Sequence, residues 1–508
     1  MNKLLLTSIS LLSAAQAAFS QERPNIVLFL VDDMGLMDTS LPFDTDSEGR
    51  PIVQPLNEFY RTPNMERMAE QGIRFTTFYA QSVSSPSRAS IMTGQNAARH
   101  QTTNWIKSEN NNRTEFGPHD WNWDGITPED MIYPSVLQKA GYKTIHVGKA
   151  HFGRKGSLGE FPQDLGFDVN IAGSSIGEPG SYYGEHGYGW IKGRRARAVP
   201  GLEKYHNTNT FITDALTIEA CSEIEKAVKE KKPFYLNMSH YAVHTPYEVD
   251  KRFIENYASS NMNKKAQAFA TLIEGMDKSL GDLMNKLEEL QIAENTIVIF
   301  LGDNGGNAPL GGAEDYGCCA PYKGKKGAAY EGGTRVPFIA SWAKPNKNNK
   351  FQKEYPIAQN AVQNQMATIM DIYPTILSIA KTKAPKGHAL DGSDLKKLFA
   401  GKKDKKHRDD FLMHFPHAHN SSYFTTYRKG DWKLIYYYNP DKDGVPTYQL
   451  YNLKDDPYEK KNVADAHPKE LNNICRLMIE RLKAENALYP VDKNNNTLYP
   501  VMPGDKGM

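Results

Sequence analysis

Short strand-like runs recur along the chain, most of them nearly continuously apolar, and each closes abruptly on charged, histidine or glycine residues. Residues 24–31 are apolar apart from Asn25 and end in Asp32-Asp33-Met34-Gly35. Residues 143–147 run into Gly148-Lys149-Ala150-His151, and residues 233–238 into Ser239-His240-Tyr241-Ala242-Val243-His244. Residues 295–301 run into Gly302-Asp303-Asn304-Gly305-Gly306. Short runs of this kind predict strands buried on both faces. Residues 74–80 read as one further short strand. Between them, 208–229 and 264–290 repeat apolar side chains at helical spacing. Thr62-Pro63 starts a helix, 133–141 forms one closed by glycine, and 369–380 is an apolar one. Strands alternating with helices predict an α/β fold whose sheet is large, central and mostly parallel or mixed. Residues 381–410 turn basic and loop-rich, as a connection would. Residues 411–414, 427–438 and 447–453 then read as strands of a small antiparallel sheet, closed by a helix over 469–485. The expected division is a catalytic domain over 21–400 and a smaller C-terminal α+β subdomain over 401–508.

Composition narrows the field of functions. The 508 residues are too many for one simple core. The 61 basic and 59 acidic residues leave a net charge of +2, with no nucleic-acid footprint. At the N-terminus, Lys3 precedes a mostly apolar stretch over 4–15 and two small-x-small sites, Ala15-Gln16-Ala17 and Ala18-Phe19-Ser20. These predict a signal peptide over 1–20, too short for a membrane anchor, and hence a periplasmic or secreted chain. Cys221, Cys318, Cys319 and Cys475 lack zinc-site spacing and are too few for a disulfide framework; pairing with Cys221 or Cys475 stays open.

The candidate chemistry centres on Ser82-Val83-Ser84-Ser85-Pro86-Ser87-Arg88-Ala89-Ser90-Ile91-Met92-Thr93-Gly94. Pro86 suits the first turn of a helix, which places Ser84 at the positive end of the helix dipole, with Arg88 one turn on. Asp32, Asp33, Asp303 and Asn304 form an all-oxygen set at strand ends, suited to Ca2+ or Mg2+ rather than zinc. Lys149 and His151 are expected on one side of an extended segment. His244 and His240 follow the 233–238 strand, and His100 follows the serine helix. The long stretch 156–206 carries Arg194, Arg195 and Arg197 with Tyr182, Tyr183, Tyr188 and Trp190. It reads either as an exposed excursion or as a pocket wall for an anionic sugar. His414, His417 and His419 look like a metal cluster or, more simply, an exposed loop.

Ser84-x-Pro86-Ser87-Arg88 leading to Thr93-Gly94 resembles the signature of the type I sulfatases of the alkaline-phosphatase-like superfamily. Gly148-Lys149-Ala150-His151 resembles that family's Gly-Lys-x-His motif, with Ala150 where a tryptophan is usual. His244-Thr245-Pro246 and the segment from Lys323-Gly324 to Glu331-Gly332-Gly333-Thr334-Arg335-Val336-Pro337 also resemble family motifs, in the family's order. Arg428–Ile435 resembles a strand of its C-terminal subdomain. The resemblance implies that Ser84 is oxidised to Cα-formylglycine, whose hydrate attacks sulfur. It implies Asp32, Asp33, residue 84, Asp303 and Asn304 as ligands of a cation, usually calcium. Arg88 and Lys149 would hold the nucleophile, Lys326 the sulfate, His244 would protonate the leaving oxygen, and His151 would regenerate the aldehyde. Glu331 and Arg335 are expected to be structural, Lys323 and Lys325 solvated. Serine at the modified position implies an anaerobic radical S-adenosylmethionine maturase as a transient partner before export. The expected activity is hydrolysis of carbohydrate sulfate esters from chain ends, on sulfated galactose or N-acetylgalactosamine of mucin, glycosaminoglycan or algal galactan. The alternatives are a phosphate mono- or diester hydrolase using Ser84 directly, and a non-catalytic sulfated-glycan binding protein.

Overall fold

Alternate side chains of β1 (Asn25–Val31) enter two different cores. Val27, Phe29 and Val31 pack with the Ile212–Lys229 and Lys264–Glu289 helices, and with Met65 and Met68 of the Pro63–Gln71 helix. Ile26, Leu28 and Leu30 pack with Ala89, Ile91 and Met92 of the Ser84–Thr93 helix and with the Tyr133–Lys139 and Ile372–Ile379 helices. Burial on both faces is why the strand sequence is continuously apolar rather than alternating. The computed structural model describes residues 23–311, 317–440 and 445–505. The expected signal peptide lies outside the described residues.

Eight strands form the large sheet, in the order β5-β4-β6-β1-β7-β8-β2-β9. They are β1, β2 (Gly72–Phe75), β4 (Lys143–Gly148), β5 (Val169–Ile171), β6 (Phe234–Ser239), β7 (Thr296–Gly302), β8 (Phe338–Trp342) and β9 (Ala361–Gln363). β8 runs antiparallel to β7 and β2, while the pairings of β4, β5, β6, β1 and β7 are parallel. The C-terminal ends of β4, β6, β1 and β7 therefore lie side by side along one edge, the edge at which open α/β sheets bind ligands. Residues 74–80 do not form one strand. Past β2 the chain leaves the large sheet, and β3 (Phe78–Tyr79) pairs instead with β10 (Ala367–Thr368). At the break, the Arg335 guanidinium binds the Thr76 carbonyl at 2.8 Å.

The second sheet is antiparallel: β11 (Asp410–Phe415), β12 (Phe424–Lys429), β13 (Trp432–Tyr437) and β14 (Tyr448–Asn452). The single strand expected over 427–438 is a hairpin that turns at Gly430, whose φ of 58° suits glycine. One face of this sheet packs on the Pro468–Ala484 helix through Leu471, Ile474, Met478 and Leu482. The other face presents Phe411, Met413, Phe415, Phe424 and Ile435 to Tyr79, Val83 and Ala329 of the larger unit. All four cysteines are free, with the Cys318 and Cys319 sulfurs 3.4 Å apart. Among the described residues, no helix is long and apolar enough to cross a membrane.

Candidate active site

Four strand ends and one helix start deliver the polar side chains. Asp32 and Asp33 follow β1, Lys149 follows β4, Asp303 and Asn304 follow β7, and the loop carrying His244 follows β6. Ser84 is itself the first helical residue rather than lying just ahead of the helix, which starts earlier than Pro86 suggests, behind the extended Val83. Gly148 permits the close approach of β4 to β6: a Cβ there would sit 1.9 Å from the Ser239 carbonyl oxygen.

The Ser84 hydroxyl lies at the centre. Its Oγ is 2.9 Å from Asp32 Oδ1, 2.7 Å from Asp303 Oδ2 and 3.3 Å from Asn304 Oδ1. Lys149 Nζ donates to it at 3.1 Å and to both Asp32 oxygens at 2.8 and 2.7 Å. The Arg88 guanidinium forks onto Asp303 Oδ2 at 3.0 and 2.9 Å. Its remaining nitrogen donates to the Lys149 carbonyl and to Ser239 Oγ. Lys326 Nζ reaches Asp33 at 2.6 Å and lies 3.2 Å from His244 Nε2. Ser84, Lys149, His151, His244 and Lys326 line one cavity of about 200 Å³, together with Trp105, Ile106, Glu178, Arg197 and His419.

Three carboxylates and three cationic side chains thus share a water-poor site. Burial, reinforced by Asp303 and Asp33 and opposed by Lys149, pushes Asp32 up to about 7. Burial would also raise Asp33, but Lys326, His244 and Lys149 hold it well below the usual carboxylate range. Burial pulls His244 down to about 4, against Asp33 and Glu178. Burial and the neighbouring Lys149 hold His151 neutral, well below its ordinary value. His151 Nε2 lies 2.6 Å from the Ile106 carbonyl, an acceptor, so Nε2 carries the hydrogen and Nδ1 is left with a lone pair and no partner.

Carboxylate oxygens of Asp32, Asp33 and Asp303 lie within 4.8 Å of one another. With the Asn304 carbonyl facing the same Ser84 oxygen, the donors are all hard oxygens, and they fit a calcium or magnesium ion.

Several expectations change. The segment at His151 is not extended, since His151 has a φ of 55°, yet it shares the cavity with Lys149. His100 lies behind the serine helix, 3.0 Å from Ser90 Oγ, and does not line the cavity. His240 is buried against Phe29 and Ser279 Oγ. His414, His417 and His419 form no metal cluster. His414 bonds Thr425 and the Leu488 carbonyl, His417 bonds Thr103, and His419 alone reaches the cavity. Tyr182 and Tyr188 are core residues rather than stacking platforms. The Tyr182 hydroxyl holds the carbonyls of Tyr241 and His244 at 2.8 and 2.7 Å. Of the arginines in that stretch, Arg197 lines the cavity, Arg194 pairs with Glu178 and Arg195 lies over Trp190. Glu331 and Arg335 are buried, and Lys323 stacks on Tyr330 at 4.1 Å rather than standing in solvent. Glu178, Trp105 and Ile106 were not foreseen, because they sit in loops without periodicity.

Comparison with known proteins agrees with this arrangement. The family model described as "Sulfatase" matches residues 24–382, and one described as "N-sulphoglucosamine sulphohydrolase, C-terminal" matches residues 325–487. The chain is 30% identical over 404 residues to an N-acetylgalactosamine-6-sulfatase of Mus musculus, covering 77% of this chain and 68% of that one. It is 26% identical over 536 residues to an N-acetylgalactosamine-6-O-sulfatase of Bacteroides thetaiotaomicron, covering 90% and 93%. Among solved structures, Ps i-CgsB in complex with k-i-k-neocarrahexaose superposes with a TM-score of 0.72 at 24% identity, covering 92% of this chain and 95% of that one. The shared fold is the alkaline-phosphatase-like one, with a large mixed sheet flanked by helices and a C-terminal antiparallel sheet. The first match alone spans well over half of the sequence, and this chain therefore belongs to the sulfatase family and is a sulfuric ester hydrolase.

Proposed function

We propose that the chain removes sulfate from the ends of sulfated carbohydrates, using a formylglycine made from Ser84 and a divalent cation, calcium in preference to magnesium. The observation that carries this reading is the position of Ser84 Oγ, enclosed by Asp32, Asp303, Asn304 and Lys149 in the cavity that also holds His244 and Lys326. When present, the formylglycine hydrate supplies the nucleophilic hydroxyl and the cation neutralises charge on the sulfate oxygens. Asp32, Asp33, residue 84, Asp303 and Asn304 would hold that cation.

The chain's own residues account for the rest. Arg88 locks Asp303 beside residue 84. Lys149 and Lys326 offer N–H donors to sulfate from two sides, in surroundings where such contacts are strong. His244, protonated on both ring nitrogens, gives the Nε2 proton to the leaving sugar oxygen, which departs poorly as an alkoxide. His151, with its free Nδ1, takes the proton that reopens the aldehyde at residue 84. The cavity of about 200 Å³ suits one sugar residue with its sulfate, which favours attack at a chain end.

Relatives named as N-acetylgalactosamine-6-sulfatases support a galactose or N-acetylgalactosamine sulfate from mucin, glycosaminoglycan or algal galactan. Serine at position 84 requires the anaerobic radical S-adenosylmethionine maturase, acting before export to the periplasm or medium. Sulfate release is measured on a panel of 4- and 6-sulfated hexoses and hexosamines, with enzyme whose residue-84 peptide has lost two hydrogens by mass. Turnover of a sulfated galactose or N-acetylgalactosamine is expected; matured enzyme inert on the whole panel overturns the reading.

A further inference from the structure

His244 is held from behind by Thr245, its neighbour in the motif, and by Glu178, which lies outside the family motifs. Its Nδ1 is 3.1 Å from Thr245 Oγ1, 3.3 Å from the Thr245 carbonyl oxygen and 3.5 Å from Glu178 Oε2. Thr245 Oγ1 is itself 2.9 Å from Glu178 Oε2. A carboxylate only accepts, so the Thr245 hydroxyl must donate to it. That hydroxyl then has only lone pairs to offer His244. A carbonyl oxygen and a carboxylate oxygen also accept, so every neighbour of Nδ1 calls for a hydrogen on it. Nε2 is left to face the cavity, Lys326 and Asp33.

Glu178 is fixed in turn. Its other oxygen, Oε1, takes Arg194 Nη1 at 2.9 Å and lies 3.6 Å from Arg197 Nε. The carboxylate is thus divided: Oε1 serves the two arginines, and Oε2 serves Thr245 and His244. Its side chain is only 17% exposed, so neither set of contacts is readily exchanged for water.

We propose that Glu178, acting through Thr245, is the positioning residue that keeps a hydrogen on His244 Nδ1, so that a second proton carried on Nε2 can pass to the leaving oxygen and leave the ring as the neutral Nδ1–H tautomer. This rests on the proposed role of His244 as proton donor to that oxygen. Arg194 and Arg197, read from sequence as anion binders, then serve at least in part to hold Glu178. With Gln at position 178, the side-chain amide can turn an N–H toward Thr245, which lets the hydroxyl donate to Nδ1; the ring then holds its only hydrogen on Nε2, whose loss would leave an imidazolate, a far weaker acid than the doubly protonated ring.

The test is a double-mutant cycle on matured enzyme, with N-acetylgalactosamine 6-sulfate or, if it proves inert, the best substrate of the panel. Glu178→Gln is expected to lower kcat by about 10²-fold, the low end of what a positioned proton donor contributes, with KM little changed. In a His244→Ala background the same change is expected to cost less than about twofold, because its route of action is gone. Glu178→Asp, which keeps the acceptor, is expected to recover part of kcat. Losses that multiply independently overturn the proposal, as does a rise in KM at constant kcat, which would make Glu178 a direct sugar ligand. Melting temperatures identify any variant that fails to fold, and Thr245→Val, which removes the relay hydroxyl alone, then takes its place in the cycle with the same expected outcomes. Wild-type matured enzyme without turnover on any sulfate ester would defeat the functional reading instead, and is told apart by that control.

Discussion

Arg88 illustrates how much one side chain does in this site. Its guanidinium spans Asp303, the Lys149 carbonyl and Ser239 Oγ, and so ties together the ends of β7, β4 and β6. A lysine keeps the charge but cannot fork onto a carboxylate while also reaching two other acceptors. Arg88→Lys is therefore expected to lower kcat/KM by about 10²–10³-fold and to destabilise the fold by about 1–3 kcal/mol. Steady-state rates on matured enzyme and urea titration check the two halves separately, and a variant with unchanged rates would show that Asp303 needs no clamp. The carboxylates make a second expectation at this scale. Ca2+ in about 100-fold excess over its Kd would stabilise the native state by about 2.7 kcal/mol, raising Tm, and EDTA would reverse it. Asp33→Asn should lose most of that rise. A wild-type melting curve indifferent to Ca2+ and to EDTA would contradict the cation assignment.

At the scale of elements, the segment after β7 is joined to β13 by a buried ion cluster. Lys433 Nζ lies 3.0 Å from Glu331 and 2.8 Å from Glu459, and Glu459 also accepts the Glu331 backbone N–H at 2.7 Å. One lysine thus serves two carboxylates. Burial, with Glu331 adding and Lys433 opposing, pushes Glu459 from 4.5 up to about 7. The native state then keeps a proton that the unfolded chain releases, so this contribution is fully present below pH 4.5 and lost as pH rises through 7. Glu459→Gln removes the loss. Between pH 4.5 and pH 8 its stability relative to wild type should improve by on the order of 3 kcal/mol, measured by urea titration at each pH. A constant difference would show that Glu459 ionises normally. Neither this pair nor the hairpin of β12 and β13 was legible in the sequence. Apolar and aromatic residues continue on both sides of Lys429-Gly430-Asp431, so a turn and an uninterrupted strand leave the same pattern. The strands β1, β6 and β7 were legible because burial on both faces forces nearly continuous apolar runs, β4 by its β-branched residues, and the polar ends of all four marked the ligand edge. Glu178 was not, because its place depends on a glycine-rich loop folding back to His244, and no periodicity encodes that.

At the scale of the molecule, the C-terminal sheet has two tasks. Its outer face makes a core with the Pro468–Ala484 helix, to which the larger part of the chain adds, among the described residues, only Ala98 and Phe116. Its inner face does not end there. Phe411, Met413, Phe415, Phe424 and Ile435 cover Tyr79, Val83 and Ala329. Val83 adjoins Ser84, and Ala329 lies three positions beyond Lys326. Arg428 Nη1 reaches the Tyr79 hydroxyl at 2.5 Å, and that hydroxyl donates to Glu331 at 2.7 Å. The nucleophile helix and the lysine segment are therefore pressed into place from the far side of the molecule. If the chain divides near residue 400, as we propose, the larger part alone would expose a contiguous apolar surface directly behind its own site. A fragment of residues 21–400 is expected to aggregate or, where soluble, to turn over at least about 10²-fold more slowly, because small displacements of reacting groups carry large rate costs. Co-expression with residues 401–508 should restore soluble, active protein through the same contacts. Gel filtration and sulfate release from the fragment, alone and paired, decide this. A monomeric fragment with the full rate would mean that the C-terminal unit serves only substrate or stability, and that Val83 and Ala329 hold their places without it.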